Sequence, residues 1–188
     1  AYARAHTSDN AILLYVALER GGDAKEAGAL ADEWLKSSPR DPKFRLFLGD
    51  QALKRQQYDE ARRYYEQLNA LLPDNQLILN NLAWLAHKRS DPKAREYAEK
   101  AYKLAPTAPA VLDTYGEILV DSGDAERGIK MLQDAVSSSP KVYEFHFTLA
   151  RAFIKIGKKA EARKELETLA ALGDRYNRSG EAASLLKT

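Results

Sequence analysis

Four prolines, Pro39, Pro73, Pro106 and Pro140, stand 34, 33 and 34 residues apart. Each follows a small residue by twelve places: Ala27, Ala61, Ala94 and Gly128, with Ala162 continuing the small-residue series. A period near 34 is much longer than a helical turn or a strand pair. It belongs to chains in which each unit is one helix-turn-helix that buries apolar surface only against its neighbours. The 188 residues are therefore expected to form an all-α solenoid without a separate central core. Alignment on the prolines gives five units, at 8–41, 42–75, 76–108, 109–142 and 143–174. Residues 1–7 read as the end of a preceding unit's second helix, and 175–188 as a capping segment with a short helix over the last apolar face.

A packing pair recurs in step in each first helix: Leu14-Tyr15, Leu48-Gly49, Leu82-Ala83, Tyr115-Gly116 and Leu149-Ala150. The small second members, with the Ala27 series, allow the two helices of a unit to approach closely. Gly22, Gly123 and Gly157 fall where first helices must stop, and glycine accepts the left-handed cap conformation there. Asp41-Pro42 and Asp91-Pro92 place a capping carboxylate before a proline suited to a helix start. Ala83 and Ala94 are 11 apart where Gly49 and Ala61 are 12 apart, so the residue missing from the third unit is expected in its turn, near Ser90-Asp91.

Composition narrows the function. The 29 basic and 27 acidic residues leave a net charge of +2, too small for the electrostatic footprint of a nucleic-acid binder. Residues 76–108 carry net +3 and residues 109–142 net −3, a dipolar pattern that suits a protein partner. Cysteine is absent, and no apolar run reaches the length of a membrane-spanning helix. His6, His87 and His146 lie in different units without the spacing of a metal site, and Gly21-Gly22 lacks the Lys-Ser/Thr of a phosphate loop. No nucleophile, base and orienting group come together, so neither an enzyme nor a cofactor is expected. In Arg62-Arg63-Tyr64-Tyr65 the repeat register turns Tyr65 inward and the arginines outward, which accounts for the run without RNA.

First-helix residues not used in packing define a candidate groove: Asp50 in the second unit, Asn80, Asn81, Trp84, His87 and Lys88 in the third, Asp113 and Glu117 in the fourth, Phe147 and Arg151 in the fifth. They recur at three or four residues, one helical face. Trp84 follows the packing pair directly and is the strongest anchor candidate. Asn80 and Asn81 suit bidentate contacts to an extended peptide. The acidic row Asp113, Glu117, Asp121 faces the row Phe147, Arg151, Lys155, which can recognise a ligand or simply pair across the two helices.

The 34-residue beat, its small residues and its prolines resemble the tetratricopeptide repeat. That resemblance implies a right-handed superhelix with first helices lining a concave, partner-binding face. One branch of that family grips chaperone C-termini with a Lys, Asn and Arg clamp. The corresponding places here read Ile12 and Val16, Phe47, Leu77 and Asn81, so the clamp is absent.

A narrower likeness rests on the runs Leu79-Asn80-Asn81-Leu82-Ala83-Trp84-Leu85-Ala86, Ala101-Tyr102-Lys103-Leu104-Ala105-Pro106, Val111-Leu112-Asp113-Thr114-Tyr115-Gly116 and Gly157-Lys158-Lys159-Ala160-Glu161-Ala162. These resemble the C-terminal repeats of PEP-CTERM system tetratricopeptide lipoproteins. The resemblance implies a scaffold in an exosortase and exopolysaccharide system, in the periplasm or cell envelope of a Gram-negative bacterium, with any lipid anchor outside this segment. A polysaccharide-contacting module and a structural spacer are the alternatives.

Overall fold

The computed structural model describes residues 7–187, so the expected remnant, apart from Thr7, and His6 lie outside the described residues. The helices are α1 Ser8–Arg20, α2 Ala24–Ser37, α3 Pro42–Lys54, α4 Tyr58–Leu71, α5 Gln76–Lys88, α6 Lys93–Leu104, α7 Pro109–Asp121, α8 Ala125–Ser138, α9 Tyr143–Lys155, α10 Lys159–Ala170 and the short α11 Ser179–Leu185, which follows a 3₁₀ turn at Gly173–Arg175. No strand occurs among the described residues. The chain divides into two compact units that each span several repeats: the first, residues 1–74, holds two helix pairs, and the second, residues 75–188, holds three and the capping segment.

The prolines end the second helices. The residue before each, Ser38, Leu72, Ala105 or Ser139, caps its helix with φ between −131° and −144° and ψ between 62° and 70°. A following proline forbids that residue the helical conformation, so the same exit recurs four times. After α10 there is no proline, Ala171 stays helical, and the chain continues into the 3₁₀ turn.

The first helices end differently. Gly22, Gln56, Ser90, Gly123 and Gly157 all have positive φ, between 54° and 93°. The next residue in each case sends its N–H 2.9 Å back to a carbonyl five residues earlier, as in Asp91 to Ala86 and Asp124 to Leu119, and closes the helix end. The one-residue deletion of the third repeat comes just after this point. In the other four repeats the small residue donates four residues back, for example Gly128 to Asp124 at 3.0 Å, whereas Ala94 donates three residues back, to Asp91 at 3.0 Å. A tighter, 3₁₀-type first turn of α6 absorbs the deletion and leaves α5 intact.

In the first unit Tyr15, Trp34, Phe44 and Leu48 form the core, with Trp34 and Phe44 ring centroids 5.7 Å apart. Asp41 organises the entry to α3. Its Oδ2 accepts from Ser8 Oγ and Trp34 Nε1, both at 2.7 Å, and its Oδ1 accepts from the Lys43 N–H at 2.9 Å. Burial pushes this carboxyl up, but the hydrogen bonds from Ser8, Trp34, Phe44 and Lys43 outweigh it and hold the group below the ordinary aspartate value. Leu14, expected to pack with Tyr15, is 37 % exposed, whereas Tyr15 is buried.

In the second unit each helix pair closes on its small residues. Ala83, Gly116 and Ala150 are buried, as are Ala94, Gly128 and Ala162. The capping segment packs Tyr176 and Ala182 against Phe147, Ala150, Leu166 and Leu169, and thereby covers the apolar end of the last pair.

Candidate functional site

Within the second unit, side chains of α5, α7 and α9 build one polar surface. Arg151 Nη1 lies 3.3 Å from Glu117 Oε1, and Lys155 Nζ lies 2.5 Å from Asp121 Oδ1. Asp121 also holds His87 Nε2 at 3.1 Å. The acidic and basic rows therefore pair with each other across α7 and α9, and Asp121 ties α5 to the same ladder. At this level the rows are structural. What they leave toward solvent is uneven, since the Glu117 side chain is 15 % exposed and Arg151 is 48 % exposed.

Trp84 is half-buried, and Lys88 Nζ lies 5.2 Å from its ring centroid. That distance is within reach of a cation–π contact. One turn earlier, Asn80 Oδ1 is buried without a hydrogen-bond partner, and so is Asp113 Oδ1 on α7. Burial pushes the Asp113 carboxyl up to about 8, with the Glu117 and Glu144 charges adding to the shift and a hydrogen bond from Thr148 opposing it. Asn81 is half-buried beside the packing residue Leu82.

Two expected groove residues have contacts of their own. Asp50 belongs to the first unit, where its Oδ1 accepts the Tyr65 hydroxyl at 2.5 Å. Phe147 is 1 % exposed, and its ring lies under the Arg178 guanidinium, 3.7 Å from the centroid. The position keeps the groove register of Asn80 and Asp113, but the capping segment occupies the space in front of it. Arg178 is itself fixed by Glu144 at 2.6 Å and Glu181 at 2.9 Å, and Tyr176 donates to Glu144 at 2.5 Å. Phe147 is thus a packing residue.

A cavity of about 670 Å³ opens beside the ladder, lined by His87, Lys88, the Ser90-Asp91-Pro92 turn, Ala94 and Arg95, with Glu117, Asp121, Arg151 and Lys155 opposite. A smaller one of about 240 Å³ shares those four residues and continues to Glu181 and Leu185 of α11. Arg95 was not anticipated because it belongs to a second helix. Its signal in the sequence is its place next to Ala94, where the 11-residue step from Ala83 ends. No group of three or more His, Asp or Glu side chains able to hold a metal ion occurs among the described residues. His146 is engaged structurally, with Nδ1 2.6 Å from Glu165 and Nε2 3.0 Å from the Pro140 carbonyl oxygen.

Paired helices with proline exits, left-handed inner turns and a polar first-helix face define a helical-repeat scaffold. Two tetratricopeptide-repeat profiles match the sequence, one over residues 48–109 and one over residues 119–187. The chain is a tetratricopeptide-repeat protein. It is 33 % identical over 137 residues to the TPR repeat-containing protein PA4667 of Pseudomonas aeruginosa; the match covers 68 % of this chain and 23 % of that relative. Among solved structures it is similar to TTC0263, a thermophilic TPR protein of Thermus thermophilus, with TM-score 0.72 and 21 % identity over 97 % of this chain and 100 % of that one. It is also similar to YrrB, described as a TPR protein with an unusual peptide-binding site, with TM-score 0.64 and 15 % identity over 95 % and 93 % of the two chains. At these identities the two structures establish the fold.

Proposed function

We propose that this chain is a non-catalytic scaffold whose second unit holds a segment of a partner protein along α5, α7 and α9. The carrying observation is the cavity of about 670 Å³ bounded by first-helix side chains and the Ser90-Asp91-Pro92 turn, a volume in the range of ligand clefts. Lys88 lines the cavity, and Trp84, whose ring centroid is 5.2 Å from Lys88 Nζ, stands one turn away on α5 and adds an aromatic of the type that anchors interfaces. The peptide-binding site named for YrrB agrees with this use of the fold. Replacing Trp84 and Asn80 together by alanine is expected to abolish partner capture while helicity is kept, at some cost in melting temperature because both side chains are half-buried. Capture that survives the double change removes the groove reading.

The partner is proposed to belong to a bacterial envelope apparatus, an exopolysaccharide or protein-sorting system of the PEP-CTERM kind. Support for this finer reading is the resemblance of the runs around Trp84, Tyr102, Asp113 and Lys158. Fractionation of the native organism tests it: the parent protein is expected with the envelope, and recovery in the cytosol would remove it. A polysaccharide-contacting role has less support, because Phe147, one of its two aromatic contacts, is buried.

A further inference from the structure

We infer that the cavity beside the third repeat's turn receives a carboxylate-bearing segment of a partner protein, an Asp/Glu-rich stretch, held by Lys88 and Arg95 with Arg151 and Lys155 opposite. The inference rests on the groove reading above and names the chemistry of the occupant. Four basic and three acidic side chains line this cavity, but the cations are the more exposed. Glu117 is 15 % exposed beneath Arg151 at 48 %, and Asp121 is 38 % exposed beside Lys155 at 51 %. Glu117 thus lies beneath its partner Arg151, whereas Asp121 is exposed beside Lys155; both acids are already paired, and their cations reach further toward an incoming ligand. The third acid, Asp91, has Oδ1 engaged by the Lys93 N–H at 2.9 Å.

Lys88 and Arg95 are exposed and make no ion pair within 4 Å among the described residues, although the charge of Arg95 acts on Glu99 one turn further along α6 and that of Lys88 on Glu181 of α11. They lie on either side of the Ser90-Asp91-Pro92 turn, where the step from Ala83 to Ala94 is 11 residues against 12 in its counterparts. The resulting field favours carboxylates, and rim cations of this kind act mainly on encounter rate and on salt dependence. None of the four cations occupies the positions of the chaperone-tail clamp.

The test is fluorescence polarisation with labelled short peptides of equal length: one alternating Asp/Glu with Gly/Ser, its Lys/Arg counterpart and its uncharged counterpart, together with a single-stranded oligodeoxynucleotide as a general polyanion. The acidic peptide is expected to bind, and to weaken at least about tenfold when salt rises from low to near-molar levels, as the Debye length falls. Lys88→Gln with Arg95→Gln is expected to cost about tenfold or more in affinity with a nearly unchanged melting temperature, since both side chains are exposed and neutral replacements add no repulsion with Glu99. Equal binding by that double variant, or an oligonucleotide ahead of the acidic peptide, overturns the assignment. Preference for the basic or uncharged peptide overturns it while the groove reading stands, and failure of all three peptides overturns both.

Discussion

Gly128 lies so close to Gly116 that a Cβ placed on it would stand 2.6 Å from the Gly116 carbonyl oxygen and 2.9 Å from the Val120 backbone nitrogen. The helices α7 and α8 therefore meet backbone to backbone. The obstructing atoms cannot turn aside as a side chain can. Gly128→Ala is expected to destabilise by about 1–3 kcal/mol through overpacking. Gly28, inside α2, would meet nothing within 4 Å, and Gly28→Ala is expected to stabilise by about 0.5–1 kcal/mol. Urea unfolding of the two variants gives opposite signs if the contact is as described.

The left-handed turn position offers a second comparison. Gln56 and Ser90 carry a Cβ at φ 58° and 54°, where three sister positions have glycine. Gln56→Gly or Ser90→Gly is expected to stabilise by about 0.5–1 kcal/mol, the left-handed penalty slightly exceeding the added freedom of the unfolded glycine. Thermal melts that fall by several degrees would contradict this.

Asp113 makes stability depend on pH in the direction opposite to an ordinary carboxylate. Its folded value is about 8 and its unfolded value about 4, so between them the folded state keeps a proton that the unfolded state has lost. Stability from this group is complete below about pH 4 and declines as pH rises toward about 8. Asp113→Asn is expected to flatten that decline and to raise stability at pH 8 to 9 by about 1–3 kcal/mol. Denaturation midpoints measured across pH 5 to 9 check the slope; an unchanged slope in the variant would show that another group carries it.

Asp41 acts in the ordinary sense. With its folded value held below the unfolded one, it adds stability that is present at neutral pH and lost as pH falls through the acidic range. Asp41→Ala removes the α3 cap and the partner of Trp34 Nε1, and is expected to cost about 2 kcal/mol. A small, pH-independent loss would contradict this account of the cap.

The repeat architecture was legible because its markers act through the backbone. Proline restricts the residue before it, which is why Pro39, Pro73, Pro106 and Pro140 give four matching exits, and the Ala27 series marks where helices touch. Gly22, Gly123 and Gly157 announced their left-handed turns, whereas Gln56 and Ser90 adopt the same conformation without a residue type that signals it. The Glu117–Arg151 pair was legible too, since 34 residues separate equivalent places on adjacent first helices. Phe147 was misplaced because its covering group, Arg178, comes from residues 175–180, a stretch with no periodicity to read. Arg95 escaped because register along first helices says nothing of a second-helix side chain at the cavity rim.

The three-residue hydrogen bond from Ala94 to Asp91 also bears on how such chains can vary. Repeat length changes here at a point that neither helix uses for contact, so the gain or loss of a single codon between Ser90 and Ala94 leaves the packing on both sides almost untouched. Inside a helix a one-residue indel would rotate every later side chain of that helix by about 100°. This turn is therefore a natural splice point, where repeats of 33 and 34 residues can be exchanged in an engineered array while the partner-facing helix keeps its register.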